Sequence, residues 1–203
     1  MSNYFFFADI IGIIAFTISG FIVAMRKNLD ILGILIASSL TALGGGVIRD
    51  AILSTTPFAF KSLYPALTLF LTMLIFYILK LYERESIERK WIFVLSDTIG
   101  LVAFSITGAL LAIHAEYNFF GIVTISFITA VGGGVTRDVM INEIPTVLTT
   151  DFYGSIAIII ATAFGVLDFF DFVNEFSILT VGIFSILLRL TAYKREWHLP
   201  KLS

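Results

Sequence analysis

The sequence contains one stretch twice, and this internal repeat limits the possible folds more than any other feature. Residues 9–50 overlay residues 97–138 without a gap, at a shift of 88 positions and with 19 identities in 42 positions. The shared residues include Asp, Arg and a glycine triplet in register. Unrelated apolar helices match by chance at aliphatic positions but not at these. The two copies therefore predict two halves with the same structure.

Each copy contains three apolar segments long enough to cross a bilayer. One crossing needs about 20 apolar residues in a helix. In this chain 58% of the 203 residues are hydrophobic and 14% are charged, whereas soluble domains have about 25% charged residues. The sequence therefore predicts an all-α integral membrane protein. We predict seven transmembrane helices, over residues 4–24, 31–53, 62–82, 92–113, 119–141, 153–170 and 176–193.

The odd number of spans in each copy sets the relation between the copies. After three crossings the chain has changed sides, so the second copy enters the membrane from the opposite face. This predicts an inverted 3+3 repeat, an architecture found in many transporters. We expect a single membrane domain over residues 1–203. Repeat one covers about 4–82, repeat two about 92–170, and the extra seventh helix about 176–193.

The distribution of lysine and arginine predicts the orientation, because cytoplasmic loops retain positive charge. With the N-terminus outside, the outer segments carry only Lys61. We therefore predict an N-out, C-in protein of the cell (inner or plasma) membrane. The inner segments then carry ten basic residues, Arg26, Lys27, Lys80, Arg84, Arg89, Lys90, Arg189, Lys194, Arg195 and Lys201.

A motif Thr-Ala-x-Gly-Gly-Gly-Val-x-Arg-Asp lies within the second and fifth predicted spans. Each glycine costs about 1 kcal/mol against alanine inside a helix, so the triplets predict a break. Freed backbone groups must be buried in protein or line a wet cavity, so a cation site is predicted near the breaks. The alternative is close helix packing. The triplets are Gly44, Gly45, Gly46 and Gly132, Gly133, Gly134.

Charged residues follow both triplets inside the predicted spans. A charge facing lipid costs at least about 2.5–3.5 kcal/mol, so these residues should face the interior. The topology puts Asp9 at the height of Arg49 and Asp97 at the height of Arg137, which predicts two equivalent ion pairs. The alternative is that the charges extend to the membrane surface.

Neighbouring residues project from different sides of a helix. Arg49 and Asp50, like Arg137 and Asp138, are therefore expected to have different partners, which leaves both aspartates free to attract a cation.

Hydroxyl side chains flank the triplets in symmetric positions. They are predicted to line the path and to replace water around an ion, although Ser and Thr in membrane helices often bond to their own backbone. These residues are Thr17, Ser19, Thr41, Ser105, Thr107 and Thr129.

The doubled Gly-Gly-Gly-Val-x-Arg-Asp segment, the Ala-Phe-x-x-x-Gly segments, Arg26-Lys27 and seven spans in about 200 residues resemble the prokaryotic trimeric intracellular cation (TRIC) channel family. The resemblance implies a homotrimer with a pore in each subunit that conducts potassium and also sodium. It implies that the glycine triplets kink the second and fifth spans around the pore. The same bacterial sequence family includes members described as glycine uptake transporters.

The sequence therefore predicts a monovalent cation channel whose pore is lined at its middle by the two triplets. The alternative is a small-solute, glycine-type transporter that uses the same site. Bound potassium or sodium ions are expected, without a cofactor. The expected partners are the lipid bilayer and two further copies of the chain, and no nucleic acid. An enzyme is not expected, because the sequence contains no cysteine and no recognisable nucleophile, metal or phosphate-binding motif.

Overall fold

The computed structural model describes residues 3–81, 86–149 and 152–199, which form helices connected by short turns. Two helices, α3 and α7, have four residues each, and the other seven have 15 or more. The helices are α1 (Asn3–Arg26), α2 (Ile31–Ile52), α3 (Phe58–Lys61), α4 (Tyr64–Ile78), α5 (Ser86–His114), α6 (Phe119–Met140), α7 (Thr146–Thr149), α8 (Gly154–Phe169) and α9 (Glu175–Lys194).

The predicted spans coincide with the seven longer helices to within two residues at most ends. The fourth span is an exception, because α5 begins at Ser86 rather than at 92. Residues 88–90 of this helix are Glu, Arg and Lys, which are good helix formers that an apolar pattern does not detect. The third span also ends earlier, at Ile78. Residue 82 and two of the counted basic residues, Arg84 and Lys201, lie outside the described residues.

The turns between the helices recur at the same shift of 88 positions as the helices themselves. The Asp30 carboxylate accepts a hydrogen bond from the backbone N–H of Gly33 at the start of α2, and Asn118 accepts the same bond from Gly121 at the start of α6. Such side-chain caps satisfy donors that have no partner within the helix. Left-handed residues, which commonly end helices, also recur at a shift of 88, at Asn28 and Glu116 and at Ser54 and Asn142.

The two repeats pack against each other in antiparallel fashion, α1 on α5 and α2 on α6. Gly12 of α1 lies against the Phe104 ring, and Gly100 of α5 lies against the Phe16 ring, which is the same contact made twice. The two rings meet edge to face with centroids 5.3 Å apart, a favourable aromatic geometry. The core is therefore built on an approximate two-fold axis between the repeats.

Helix α9 has no counterpart in the first repeat and packs against α5 and α8. Its start is capped by Asn174 and Ser177, each of which bonds to the other's backbone N–H. Its polar inward residues, Ser185 and Arg189, are buried. The seventh long helix therefore adds buried polar groups that have no counterpart in the first repeat.

The outer surface is apolar along the helices. Within the described residues five helices are long and apolar enough to cross a membrane, and two shorter apolar helices are α4 and α8. Large side chains such as Ile31 and Phe169 are more than 80% exposed. Water-soluble monomers rarely expose such continuous apolar surface, so the chain is a multi-pass membrane protein.

Candidate functional site

The glycine triplets mark the point where α2 and α6 cross. A methyl group at Gly45 would overlap the carbonyl oxygen of Thr129, and one at Gly133 would overlap that of Thr41. A methyl group at Gly44 would lie 3.2 Å from the Gly133 Cα atom. The backbones therefore touch directly, as small residues allow in membrane helices.

The predicted break in these helices is wrong. Both α2 and α6 are α-helical without interruption through their triplets. The glycine cost of about 1 kcal/mol per residue is smaller than the cost of leaving backbone groups without partners in a bilayer, so the helical bonds persist. The close crossing that the glycines permit gives these residues a packing role.

The third glycine of each triplet has a different environment. A methyl group at Gly46 would meet only the Arg49 Nη2 atom, at 3.8 Å, and one at Gly134 would meet only Arg137 Nη2, at 3.8 Å. Gly46 also lines a cavity of about 20 Å³ beside Asp9 and Arg49. This volume is enough for one water molecule.

At one end of the crossing lies a group that we call the Arg49 cluster: Asp9, Arg49, Asp50 and Thr107. All four side chains are buried. Arg49 Nη1 and Nη2 donate to the two carboxylate oxygens of Asp9, at 2.9 and 3.1 Å. Arg49 Nε donates to Asp50 at 2.8 Å, and Thr107 Oγ1 accepts from Nη1 at 3.3 Å. Every Arg49 nitrogen thus has an acceptor.

At the other end lies the Arg137 cluster: Ser19, Asp97, Arg137, Asp138, Tyr153 and Arg189. The structure does not join Asp97 and Arg137 as it joins Asp9 and Arg49. Arg137 turns to Asp138, with contacts of 2.8 Å from both Nε and Nη2, and Nη1 has no hydrogen-bond partner among the described residues. Asp97 accepts a hydrogen bond from Ser19 Oγ at 3.1 Å.

The expectation that neighbouring Arg and Asp have different partners is wrong in both copies. Each arginine side chain folds back far enough for its Nε to reach the following carboxylate at 2.8 Å. The aspartates are also not free. The second oxygen of Asp50 accepts from the backbone N–H of Phe58, and that of Asp138 accepts from the N–H and hydroxyl of Thr146. They anchor the short helices α3 and α7.

The six predicted hydroxyl residues are all completely buried. Four donate to the carbonyl four residues earlier in their own helix, at 2.6–2.7 Å. These four are Thr17, Thr41, Ser105 and Thr129. Ser19 bonds to Asp97, while Thr107 donates to Phe104 and accepts from Arg49. Each hydroxyl that donates to its own helix retains lone pairs for a further contact.

Sequence reasoning missed several buried polar groups. Ser126 donates to the Ser105 carbonyl at 2.8 Å, while its repeat partner Ser38 has no hydrogen-bond partner in the described residues. The repeat register identifies this pair, since 38 and 126 differ by the same 88 positions. Tyr153 and Arg189 have no such signal, because Tyr153 falls on Pro65 in the first repeat and Arg189 lies outside the repeats.

The histidine and acidic residues of the described ranges form no group of three or more that could hold a metal ion. What the arrangement offers instead is a line of buried charges and hydroxyls through the middle of an apolar bundle. Such groups inside membrane helices usually mark an ion or substrate pathway.

Comparison with known proteins identifies relatives over the whole chain. A family model described as Glycine transporter matches residues 6–80 and again 94–168, which places the same model on both repeats. The UPF0126 membrane protein YvgT of Bacillus subtilis is 33% identical over 96% of this chain and 95% of its own length. The UPF0126 inner membrane protein YadS of Escherichia coli K12 is 33% identical over 96% of this chain and 93% of its own length.

Solved structures show the same fold. A prokaryotic TRIC channel crystallised in 0.5 M KCl has a TM-score of 0.86 at 34% identity, over 98% of this chain and 100% of that one. A chain from a study of conductance through TRIC cation channels has a TM-score of 0.84 at 34% identity, over 97% of this chain and 96% of that one. The TRIC orthologue of Rhodobacter sphaeroides has a TM-score of 0.86 at 27% identity, over 95% of this chain and 98% of that one.

Proposed function

Since the chain belongs to the Glycine transporter family, together with the UPF0126 membrane proteins, and has the fold of prokaryotic TRIC channels, we propose that it is a cation channel. The likeness to those channels over nearly the whole chain is the observation that carries the proposal. The structures it resembles are channels, which supports a role without catalysis.

The proposed path runs between α1, α2, α5 and α6 within one protomer. The Arg49 cluster supports cation entry, because two carboxylates outnumber its one guanidinium and a negative cleft attracts cations. The small cavity beside Gly46 has room for one water molecule on this path. Carbonyl and hydroxyl oxygens near the crossing would take over part of the hydration shell of the ion.

The finer parts of the proposal concern selectivity and assembly. The permeant ions are potassium and also sodium, and the narrow part is lined by the two glycine triplets and their neighbouring hydroxyls. The seven long helices form one membrane domain over residues 1–203, oriented N-out and C-in. Three copies assemble as a homotrimer, each with its own pore. The charge bias of the loops supports the orientation, and the names of the solved relatives support the trimer.

Planar bilayer recording of the purified protein tests the proposal. We expect unitary potassium currents, and a reversal potential under potassium–sodium gradients that shows permeation of both ions. Gly46→Ala adds a methyl group at the cavity wall beside Arg49 and should lower the unitary conductance. The matched control is Gly182→Ala on α9, whose methyl group would instead lie 3.3 Å from the Cδ1 atom of Ile106 on α5.

A glycine-type transporter is the second candidate, favoured by the description of the family model. The carboxylate of glycine would suit Arg137, whose Nη1 has no hydrogen-bond partner among the described residues. Slow, saturable uptake of radiolabelled glycine into proteoliposomes without unitary currents would establish this candidate and reject the channel. Unitary currents without glycine uptake would do the reverse.

A further inference from the structure

Asp97 differs from the other three buried aspartates near the crossing. Asp9 is held on both oxygens by Arg49, and Asp50 and Asp138 are each held by an arginine and a backbone N–H. Asp97 is instead held by hydroxyl groups, those of Ser19 and Tyr153. Within the described ranges no ion pair shorter than 4 Å joins it to an arginine. Among the described residues it is therefore the one of these four aspartates that no arginine bonds directly.

Two arginines from different helices act on Asp97. Arg137 of α6 and Arg189 of α9 both attract the Asp97 carboxylate electrostatically. The Arg189 guanidinium lies over the Tyr153 ring, 5.3 Å from its centroid, and its Nε has no partner in the part of the chain that the structure describes. Both arginine residues are at least 95% buried. Arg189 is thus a buried positive charge held near Asp97 without a direct bond to it.

Helix α9 makes the charge balance of the two clusters different, because it carries Arg189. The Arg49 cluster contains two carboxylates and one guanidinium, whereas the Arg137 cluster contains two of each. Without Arg189 the second cluster would carry the same excess negative charge as the first. Helix α9 lies outside the repeat, so this added charge is the main chemical difference between the two ends.

Building on the proposed channel function, we propose that Arg189 is a positioning residue that weakens cation binding at Asp97. A cation on the path and the Arg189 guanidinium compete for the same carboxylate. Conduction requires an ion to enter a site and also to leave it readily. Arg189 supplies a tethered positive charge that keeps residence at Asp97 short. The ligand class of this site is a monovalent cation, bound by the Asp97 carboxylate and the Ser19 and Tyr153 hydroxyls.

The test measures unitary conductance against potassium concentration for the full-length protein in bilayers. Arg189→Gln should lower the potassium concentration of half-maximal conductance about tenfold, given the size of charge interactions at partly buried sites. It should also lower the maximal conductance, because the ion leaves more slowly. Arg189→Lys keeps the charge and should restore the wild-type half-saturation. Arg195→Gln removes an exposed positive charge from the same end and should change nothing.

Asp97→Asn combined with Arg189→Gln identifies the carboxylate as the site. If Arg189 acts through Asp97, the half-saturation shift disappears in the double variant. A general effect of lost packing would persist there, and that outcome overturns the proposal. If Arg189→Gln does not fold, Arg189→Met keeps the length of the side chain and the same shift is expected.

The two levels of the proposal fail differently. A wild-type protein without unitary currents overturns the channel function and this inference together. A wild-type protein that conducts, while Arg189→Gln retains the wild-type half-saturation, overturns only the role of Arg189.

Discussion

The Arg49 cluster and the Arg137 cluster have the same Asp, Arg and Asp in the same register but different hydrogen bonds. Arg49 is bonded at every nitrogen and joins Asp9 to Asp50. Arg137 bonds to Asp138 and leaves Nη1 without a partner in the described ranges. The repeat thus determines which residues are present at each end, and their surroundings determine how they pair.

The difference has an identifiable source at the Arg137 end. Tyr153, the residue before α8, and Arg189 of α9 act on Asp97, and neither has an equivalent near Asp9. One end is a closed salt bridge, while the other is a looser network in which two arginine nitrogens have no partner within the described ranges. Looser polar networks move more readily, since fewer bonds must break. The two ends are therefore expected to differ in stability, and the predictions below test that difference.

The largest expected effect is loss of the Arg49 side chain. Arg49→Met leaves Asp9 buried without its positive partner, which costs about 3–5 kcal/mol in the free energy of unfolding. Arg137→Met should cost clearly less, because Asp138 keeps its bonds to Thr146 and Asp97 keeps its bond to Ser19. Equilibrium unfolding of both variants in one detergent measures the difference. Equal losses would show that the two clusters are energetically alike.

Substitutions at the glycine crossing should destabilise the two repeats equally, in contrast to the arginine substitutions, because the crossing consists of two symmetric contacts. Gly45→Ala and Gly133→Ala each force a methyl group onto a carbonyl oxygen of the facing helix. Overpacking of this kind costs about 1–3 kcal/mol, and the two losses should agree within about 0.5 kcal/mol because the contacts are symmetric.

The matched controls are Gly46→Ala and Gly134→Ala, where the nearest atom is an arginine nitrogen at 3.8 Å. These changes should be neutral or stabilising by up to about 1 kcal/mol, since alanine favours a helix. A loss at Gly46 as large as that at Gly45 would contradict the packing role of the first two glycines.

The comparison also shows what sequence predicts and what it does not. The match of the sequence with itself at a shift of 88 positions predicted the repeat. The predicted topology put Asp9 at the height of Arg49, and in the structure the two side chains are in contact. Helix continuity through the triplets was not predictable from glycine propensity alone, because the cost of unpartnered backbone groups in a bilayer is larger. The fold of each arginine onto its neighbouring aspartate depends on rotamers, which sequence spacing does not specify.

The position of Arg189 illustrates a different limit. The positive-inside count used this residue only as a loop charge. Its burial depends on how α9 packs on α5 and α8, and α9 has no second copy to provide a register. Residues outside a repeat therefore lack the internal comparison that made the other charges recognisable.

A smaller effect is expected at the anchors of the short helices. Asp138 accepts from both the N–H and the hydroxyl of Thr146, whereas Phe58 at the equivalent position offers Asp50 only its N–H. Thr146→Val removes the extra hydroxyl bond and should cost about 1 kcal/mol, as for one hydrogen bond. The control is Thr149→Val, whose exposed hydroxyl makes a 3.4 Å bond, with an expected loss below about 0.5 kcal/mol. Equal losses of stability for the two variants would show that the hydroxyl bond of Thr146 does not distinguish the two ends.

The smallest expected effect concerns an ion pair that exists at one end only. Lys27, after α1, pairs with Glu143, after α6, and the equivalent positions in the other repeat are Ala115 and Thr55. Both side chains are more than 40% exposed, so the pair should contribute about 0.2–1 kcal/mol.

A double-mutant cycle with Lys27→Gln and Glu143→Gln isolates that coupling between the two loops. The coupling should largely vanish in 1 M salt, because the screening length there is about 3 Å. Glu116→Gln serves as the matched control, since it removes an acidic residue after α5 at the opposite end and should show no coupling to Lys27. A coupling that persists in high salt would mean that this pair is protected from water. It would then fix the Arg137 end as firmly as the Asp9–Arg49 pair fixes the other, and the two ends would differ less than their buried hydrogen bonds suggest.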